Sequence, residues 1–170
     1  MAPKPFLILV AGLPASGKTT FADVLARRVG AVRINSDLVR QQLDLKGHYS
    51  PEDKNRVYWA MIERAAKALE RGHPVVADST FYKESLRKPW KELAHRAGVD
   101  IHFVLMKISD EEAFRRLQKP RPDSEATWEV YKQLKSEWEP LAEPHITLDS
   151  TGGNVDALVE EVLPKLGKSN

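Results

Sequence analysis

The 170-residue sequence predicts an α/β fold, a parallel sheet covered by helices on both faces. Three observations predict it. Short apolar runs alternate with helical patterns from end to end, as strand–helix–strand crossovers require. The runs are continuously apolar rather than alternating, which marks strands buried on both faces. The first run leads directly into Gly12, Leu13, Pro14, Ala15, Ser16, Gly17, Lys18 and Thr19, which fit G-x-x-x-x-G-K-[ST] at every fixed position.

Phe6, Leu7, Ile8, Leu9, Val10 and Ala11 read as the first strand, and Phe21, Val24, Leu25 and Val29 recur at helical spacing after the loop. Lys4 before the strand gives it a passing likeness to a secretion signal, but the apolar run is short and opens straight into the glycine loop. Ala31, Val32, Arg33 and Ile34 form a second strand, ending at Asn35, Ser36 and Asp37; a helix is expected over 37–45. Ser50 and Pro51 look like a helix start, with Asp53 three residues after the serine. Val57, Met61, Ala65, Ala68 and Leu69 carry that helix to Gly72. Residues 74–78 are the third strand, 84–97 a helix ended by Gly98, and 101–106 the fourth strand. Ser109 or Asp110 caps the next helix, which stops before Pro120. Another helix is expected from Asp123 or Ser124 to Trp138, then a fifth strand over 145–148 and a closing helix over 155–166.

No repeat or long linker divides the chain, so one domain over 1–170 is expected. The polar, basic, twice proline-punctuated stretch 119–123 reads as a mobile lid, bounded at about 115–128. A formal net charge of +2 gives no argument for nucleic acid or an anionic membrane as partner. Cysteine is absent, which excludes disulfides and a thiol nucleophile, and the five histidines are scattered without zinc-ligand spacing. No run approaches the ~20 apolar residues of a membrane span, so a cytoplasmic protein is expected.

The chemistry follows from the glycine loop. Gly12 and Gly17 let the backbone curl until its N–H groups point inward, and a helix N-terminus adds partial positive charge. Lys18 then reaches the β- and γ-phosphates of a nucleotide, and the Thr19 hydroxyl holds Mg²⁺. In such sheets ligands gather at the carboxyl ends of the strands. Asp37 lies there, where a carboxylate accepts the proton of an attacking hydroxyl; capping the following helix is its simpler role. Arg40, one turn on, is suited to an anionic group on the acceptor or to the transferring phosphoryl. Asp78 closes a buried strand and is expected to orient Mg²⁺-bound water or the acceptor, or to cap a helix. Arg115, Arg116 and Arg121 flank the expected lid, where closing arginines neutralise developing charge and exclude water. The four tryptophans lie on helical patterns and are expected to pack, and His48 and Tyr49 are candidates to line an acceptor pocket.

The loop 12–20, with Thr20 its last residue, the segment 34–40, Asp78, Ser79, Thr80 and Phe81, and the stretch from Arg116 to Ala126 occur in one order. Together they resemble the small P-loop kinases of the AAA_33 (zeta-toxin/polynucleotide kinase-like) group over nearly the whole chain. The resemblance implies a three-layer P-loop NTPase fold, with five parallel strands in order 2-3-1-4-5, helices on both faces and a small helical lid. It implies ATP and Mg²⁺ as ligands of Lys18 and Thr19, Asp37 as general base, Arg40 on the acceptor side, Asp78 near the metal, and Arg116 or Arg121 in the lid. Ala15 stands where many relatives have glycine.

The leading expectation is therefore a kinase moving the ATP γ-phosphate to a hydroxyl of a small molecule or of a nucleotide or polynucleotide end; charge does not indicate the latter. The alternative is a nucleotide-hydrolysing switch without an acceptor, for which Asp78 would suffice to hold Mg²⁺.

Overall fold

β1 (Phe6–Gly12) lies at the centre of a five-stranded sheet because its residues are apolar on both faces. In the computed structural model, which describes residues 4–119 and 126–166, Leu7, Leu9 and Ala11 point into one core and Ile8 and Val10 into the other. The remaining strands are β2 (Val32–Asn35), β3 (Val75–Ser79), β4 (Asp100–Lys107) and β5 (Ile146–Asp149). Their order is β2-β3-β1-β4-β5 and every pairing is parallel, as expected.

Among the described residues, α1 (Lys18–Val29) and α7 (Val155–Leu166) cover one face, burying Phe21, Leu25, Val159 and Val162 with Ile8, Val10 and Val76. α2 (Ser36–Gln42), α3 (Pro51–Glu70) and α4 (Glu84–Ala97) supply the other core through Val39, Val57, Met61, Trp90 and Leu93. α5 (Asp110–Leu117) and α6 (Trp128–Ser136) are joined by aromatic packing. Phe114 meets Trp128 edge-on at 5.1 Å, and Trp128 stacks on Tyr131 at 5.0 Å. Buried Tyr131 donates to Asp110 at 2.8 Å, and Lys135 pairs with the same carboxylate at 2.7 Å. No helix among the described residues is long and apolar enough to cross a membrane.

Three local expectations change. Asn35, rather than Asp37, caps α2, accepting from the Leu38 N–H at 2.9 Å. α6 begins after Thr127, whose hydroxyl caps it, and the start expected at Asp123 or Ser124 lies outside the described residues, as do residues 120–125 of the expected lid. Trp59 is 60% exposed, because the buried stripe of α3 runs through Val57, Met61 and Ala65 and residue 59 lies off it.

The α4 side is fastened by a residue the sequence leaves unremarkable. Arg87 is fully buried, donating to the carbonyls of Phe81 at 2.7 Å and Pro140 at 3.4 Å, and to that of Glu139. Its guanidinium lies 5.7 Å from the Trp138 ring. Burial pulls its pKa below the ordinary arginine value, against the pull of Glu84, Glu143 and Glu139. Removing the guanidinium strands the buried Phe81 carbonyl and unties the partly buried carbonyls of Glu139 and Pro140. Arg87→Met should therefore cost about 3 kcal/mol, lowering Tm by roughly 6–12 °C in calorimetry. A shift under about 2 °C would mean that other donors reach those carbonyls.

Candidate functional site

The loop between β1 and α1 is held open by close backbone approach. A Cβ on Gly12 would lie 2.5 Å from Ser16 Oγ and 2.9 Å from the Met106 carbonyl, so only glycine fits. Two residues turn the loop through left-handed backbone, Ala15 at φ 68° and Gly17 at φ 82°. Alanine carries the left-handed conformation at a cost of about 1 kcal/mol, which gives physical content to the missing glycine at position 15. Gly17 caps α1 without a side chain, so the first-turn amides, which have no intrahelical acceptor, stay available to a ligand. Ser16 Oγ is buried and without a hydrogen-bond partner. Lys18 Nζ donates to the Leu13 carbonyl at 3.3 Å, folded back over the loop. Such a cradle fits phosphate oxygens. Thr20 is exposed on the outer side of α1.

From behind, the loop is clamped by two residues. Ser150, just past β5, donates to the Ser16 carbonyl at 2.6 Å. Arg116 donates to the Ala15 carbonyl at 3.1 Å, to the Ser150 carbonyl at 2.7 Å and to Glu112 at 3.0 Å. In this conformation the Arg116 guanidinium rests on the loop. Arg115 and Arg116 pull the Glu112 carboxyl down to about 2. The ion pair is thus complete above pH 4.5 and is lost only as the pH falls toward 2. Arg115 points outward to the same glutamate, at 2.8 Å. Arg121 lies outside the described residues.

Register explains Asp78. In β3 the period of two puts it on the face of Val76, toward α1, and opposite Asn35 of β2. It is wholly buried, with Oδ2 3.5 Å from Thr19 Oγ1. Arg33, two residues before Asn35 on the same face, reaches both carboxylate oxygens at 3.1 and 3.3 Å, and Asn35 donates at 2.6 Å. Burial pushes the Asp78 pKa up, while Arg33, Asn35 and Lys18 pull it back. Thr19 and Asp78 are hard oxygen donors suited to Mg²⁺, which keeps several waters and takes few protein ligands. No cluster of three or more histidine, cysteine, aspartate or glutamate residues suited to a metal occurs among the described residues.

On the other side of the loop a cavity of about 370 Å³ opens. Pro14, Ala15, Lys18 and Thr19 of the loop line it together with Asp37, Arg40, Tyr49, Lys54, Tyr58 and Tyr82, and with Val130, Gln133 and Leu134 of α6. Arg40 is 7% exposed, donates to Asp37 Oδ1 at 3.4 Å and stacks over the Tyr49 ring at 4.6 Å. Burial, with Tyr82 and Asp37, holds the Tyr58 phenol above its usual pKa, against Arg40. Of the candidates named from sequence, the cavity brings together Pro14, Ala15, Lys18, Thr19, Asp37, Arg40 and Tyr49. Asp78 lies beneath Thr19, Arg116 lies behind the loop, and exposed His48 is not on the cavity wall. Ser150, with Asp149 and Thr151, was expected at the ligand edge of the sheet, whereas Arg33 and Lys54 were given no role from sequence. The polar residue two before Asn35 was a legible signal for Arg33; Lys54 depends on tertiary contacts.

Fold and site define a nucleotide-type phosphate-binding α/β protein, its loop at the carboxyl edge of a parallel sheet. The AAA domain family model, AAA_33, matches residues 7–141, and the chain belongs to that family. A UPF0200 protein of Aeropyrum pernix is 28% identical over 140 residues, covering 76% of this chain and 72% of its own length. An uncharacterized protein of Mycobacterium tuberculosis is 29% identical over 153 residues, 78% of this chain, which spans only 30% of that relative's length. Among solved structures, the Mycobacterium tuberculosis APS kinase in complex with AMPPNP and APS superposes with a TM-score of 0.76 at 18% identity, over 98% of this chain and 99% of that one. A gluconokinase from Sinorhizobium meliloti gives 0.68 at 19% identity, over 96% and 93%. These likenesses show the fold.

Proposed function

We propose that the chain is an ATP-dependent kinase that moves the γ-phosphate to a hydroxyl of an acceptor. One observation carries this reading: the phosphate loop's Lys18 and Thr19 share a single cavity with the Asp37 carboxylate. The family and the fold of the two kinases support it. Lys18 leaves the Leu13 carbonyl to neutralise the β- and γ-phosphates, and the first-turn amides of α1 bind their oxygens. Asp37 accepts the proton of the acceptor hydroxyl as its oxygen bonds to the γ-phosphorus. The bond between that phosphorus and the β,γ-bridging oxygen breaks, and ADP leaves with the electron pair. Thr19 directly, and Asp78 through water, would hold Mg²⁺, which supplies charge neutralisation on the phosphates when bound. Arg33 and Asn35 fix the Asp78 carboxylate for that task. Arg116 keeps the loop in shape, and α6 excludes water from the cavity.

The test follows labelled γ-phosphate from ATP, with purified protein and Mg²⁺, over oligonucleotides, nucleosides, sugars and aminoglycosides. Label entering one acceptor class, with ADP release accelerated by that acceptor, is the expected result. ADP and free phosphate formed at one rate whatever the acceptor would make the chain a hydrolase, and the switch reading would stand.

A further inference from the structure

The cavity wall beyond Asp37 carries more positive charge than phosphoryl transfer uses. Lys54, in the first turn of α3, lines it, and its ammonium has no ion pair or hydrogen bond among the described residues. A cation at a helix N-terminus is unfavourable, so nothing in α3 itself accounts for it. The neighbouring Asp53 is committed to Ser50 at 2.9 Å and to Arg56 at 3.7 Å. Arg40 gives a second, independent observation. It is more than nine-tenths buried on the same wall, and among the described residues its Nε has no hydrogen-bond partner. Of the two acids that line the cavity among the described residues, Asp37 already receives Arg40, and Glu137 is exposed.

The rest of the wall suits hydroxyl groups. Tyr49, Tyr58 and Tyr82 present phenols, with Gln133 above them. At about 370 Å³ the cavity sits at the small end of ligand pockets, roughly 300–1,000 Å³, and must also admit the γ-phosphate between Lys18 and Thr19. A polynucleotide strand needs an open basic groove, whereas this cavity is small and the net charge is only +2.

We propose that the acceptor is a compact polyhydroxy alcohol bearing one anionic group, a carboxylate or a phosphate. Lys54 holds the anion, with Arg40 adding positive charge from the same wall, while a hydroxyl is presented to Asp37. This rests on the kinase reading above and narrows it to a substrate class, with Lys54 as the residue that sets specificity.

The experiment compares matched carbon skeletons, each as the neutral polyol, the carboxylate and the phosphate, with a 5′-hydroxyl oligonucleotide as a fourth arm. Transfer from ATP is measured, and binding is measured separately by calorimetry with a non-hydrolysable ATP analogue present. Anionic members should bind and react roughly 10- to 100-fold better than their neutral counterparts, the weight of a charge-assisted contact. Which anion gains more separates carboxylate from phosphate. Lys54→Gln should erase that preference through KM for the anionic acceptor, and Lys54→Arg should restore part of it; analogue binding checks that each variant is folded. Equal use of neutral and anionic skeletons, an undiminished preference in Lys54→Gln, preference for the oligonucleotide, or absence of binding by every anionic alcohol would each overturn the proposal. Loss of the kinase reading has a different signature: no ATP-analogue binding, or hydrolysis insensitive to every acceptor.

Discussion

Lys18→Ala should abolish phosphoryl transfer while the protein stays folded. In the structure the ammonium touches the loop carbonyl of Leu13 at 3.3 Å and lies outside both apolar cores, so its removal takes little from packing. Stability should change by no more than about 0.5 kcal/mol, roughly 1–2 °C in Tm. The phosphates would lose their mobile cation in a site where charge is poorly screened, a loss of at least about 10³-fold in turnover. A second consequence follows from Asp78, whose pKa Lys18 helps pull down against burial. Without that cation the buried carboxyl is pushed further up, so the variant should need more Mg²⁺ as well as more ATP. Turnover near the wild-type rate at saturating ATP would mean that the loop does not bind phosphate.

Which parts of this site are legible in the sequence depends on how local their physics is. The strands announce themselves because parallel strands are apolar on both faces, as Leu7 to Ala11 show by serving two cores at once. The loop is legible because a backbone cradle demands glycine at fixed spacing, and the clash a Cβ would make at Gly12 is its physical counterpart. Asp37 and Arg40 are one helical turn apart and meet at 3.4 Å, as that spacing implies. The order of the strands came from resemblance, since no local pattern encodes it. Arg87 sits between Leu86 and Lys88 like any helix-surface arginine, and its partners at Glu139 and Pro140 lie some fifty residues on. Arg33 looks like a polar break in a short strand until the β2–β3 register puts it beside Asp78. Arg116 was read as part of a moving lid because its nearest sequence neighbours are polar and proline-rich. Its actual partners are backbone carbonyls at Ala15 and Ser150, which have no side-chain signature.

Asp37→Asn separates the chemical role of this carboxylate from its structural one. Asn35, not Asp37, caps α2, so the substitution leaves the helix start intact. The amide oxygen can still accept from Arg40, which keeps the buried guanidinium partnered through NH1. The phosphates are assigned to the loop and Lys18 rather than to Asp37, so nucleotide affinity should hold within about 3-fold. What disappears is the proton acceptor, and general-base catalysis contributes about 10²–10⁴-fold. Transfer should fall by at least about 10²-fold in kcat, and the acidic limb of the kcat/KM profile, which reports the free base, should flatten. A residue that merely positioned the acceptor would instead raise KM and leave the shape of the pH profile unchanged. Loss of ATP binding with full turnover at saturating ATP would make Asp37 a metal or structural residue, and the base would have to be sought at Glu137, the other carboxylate lining the cavity among the described residues.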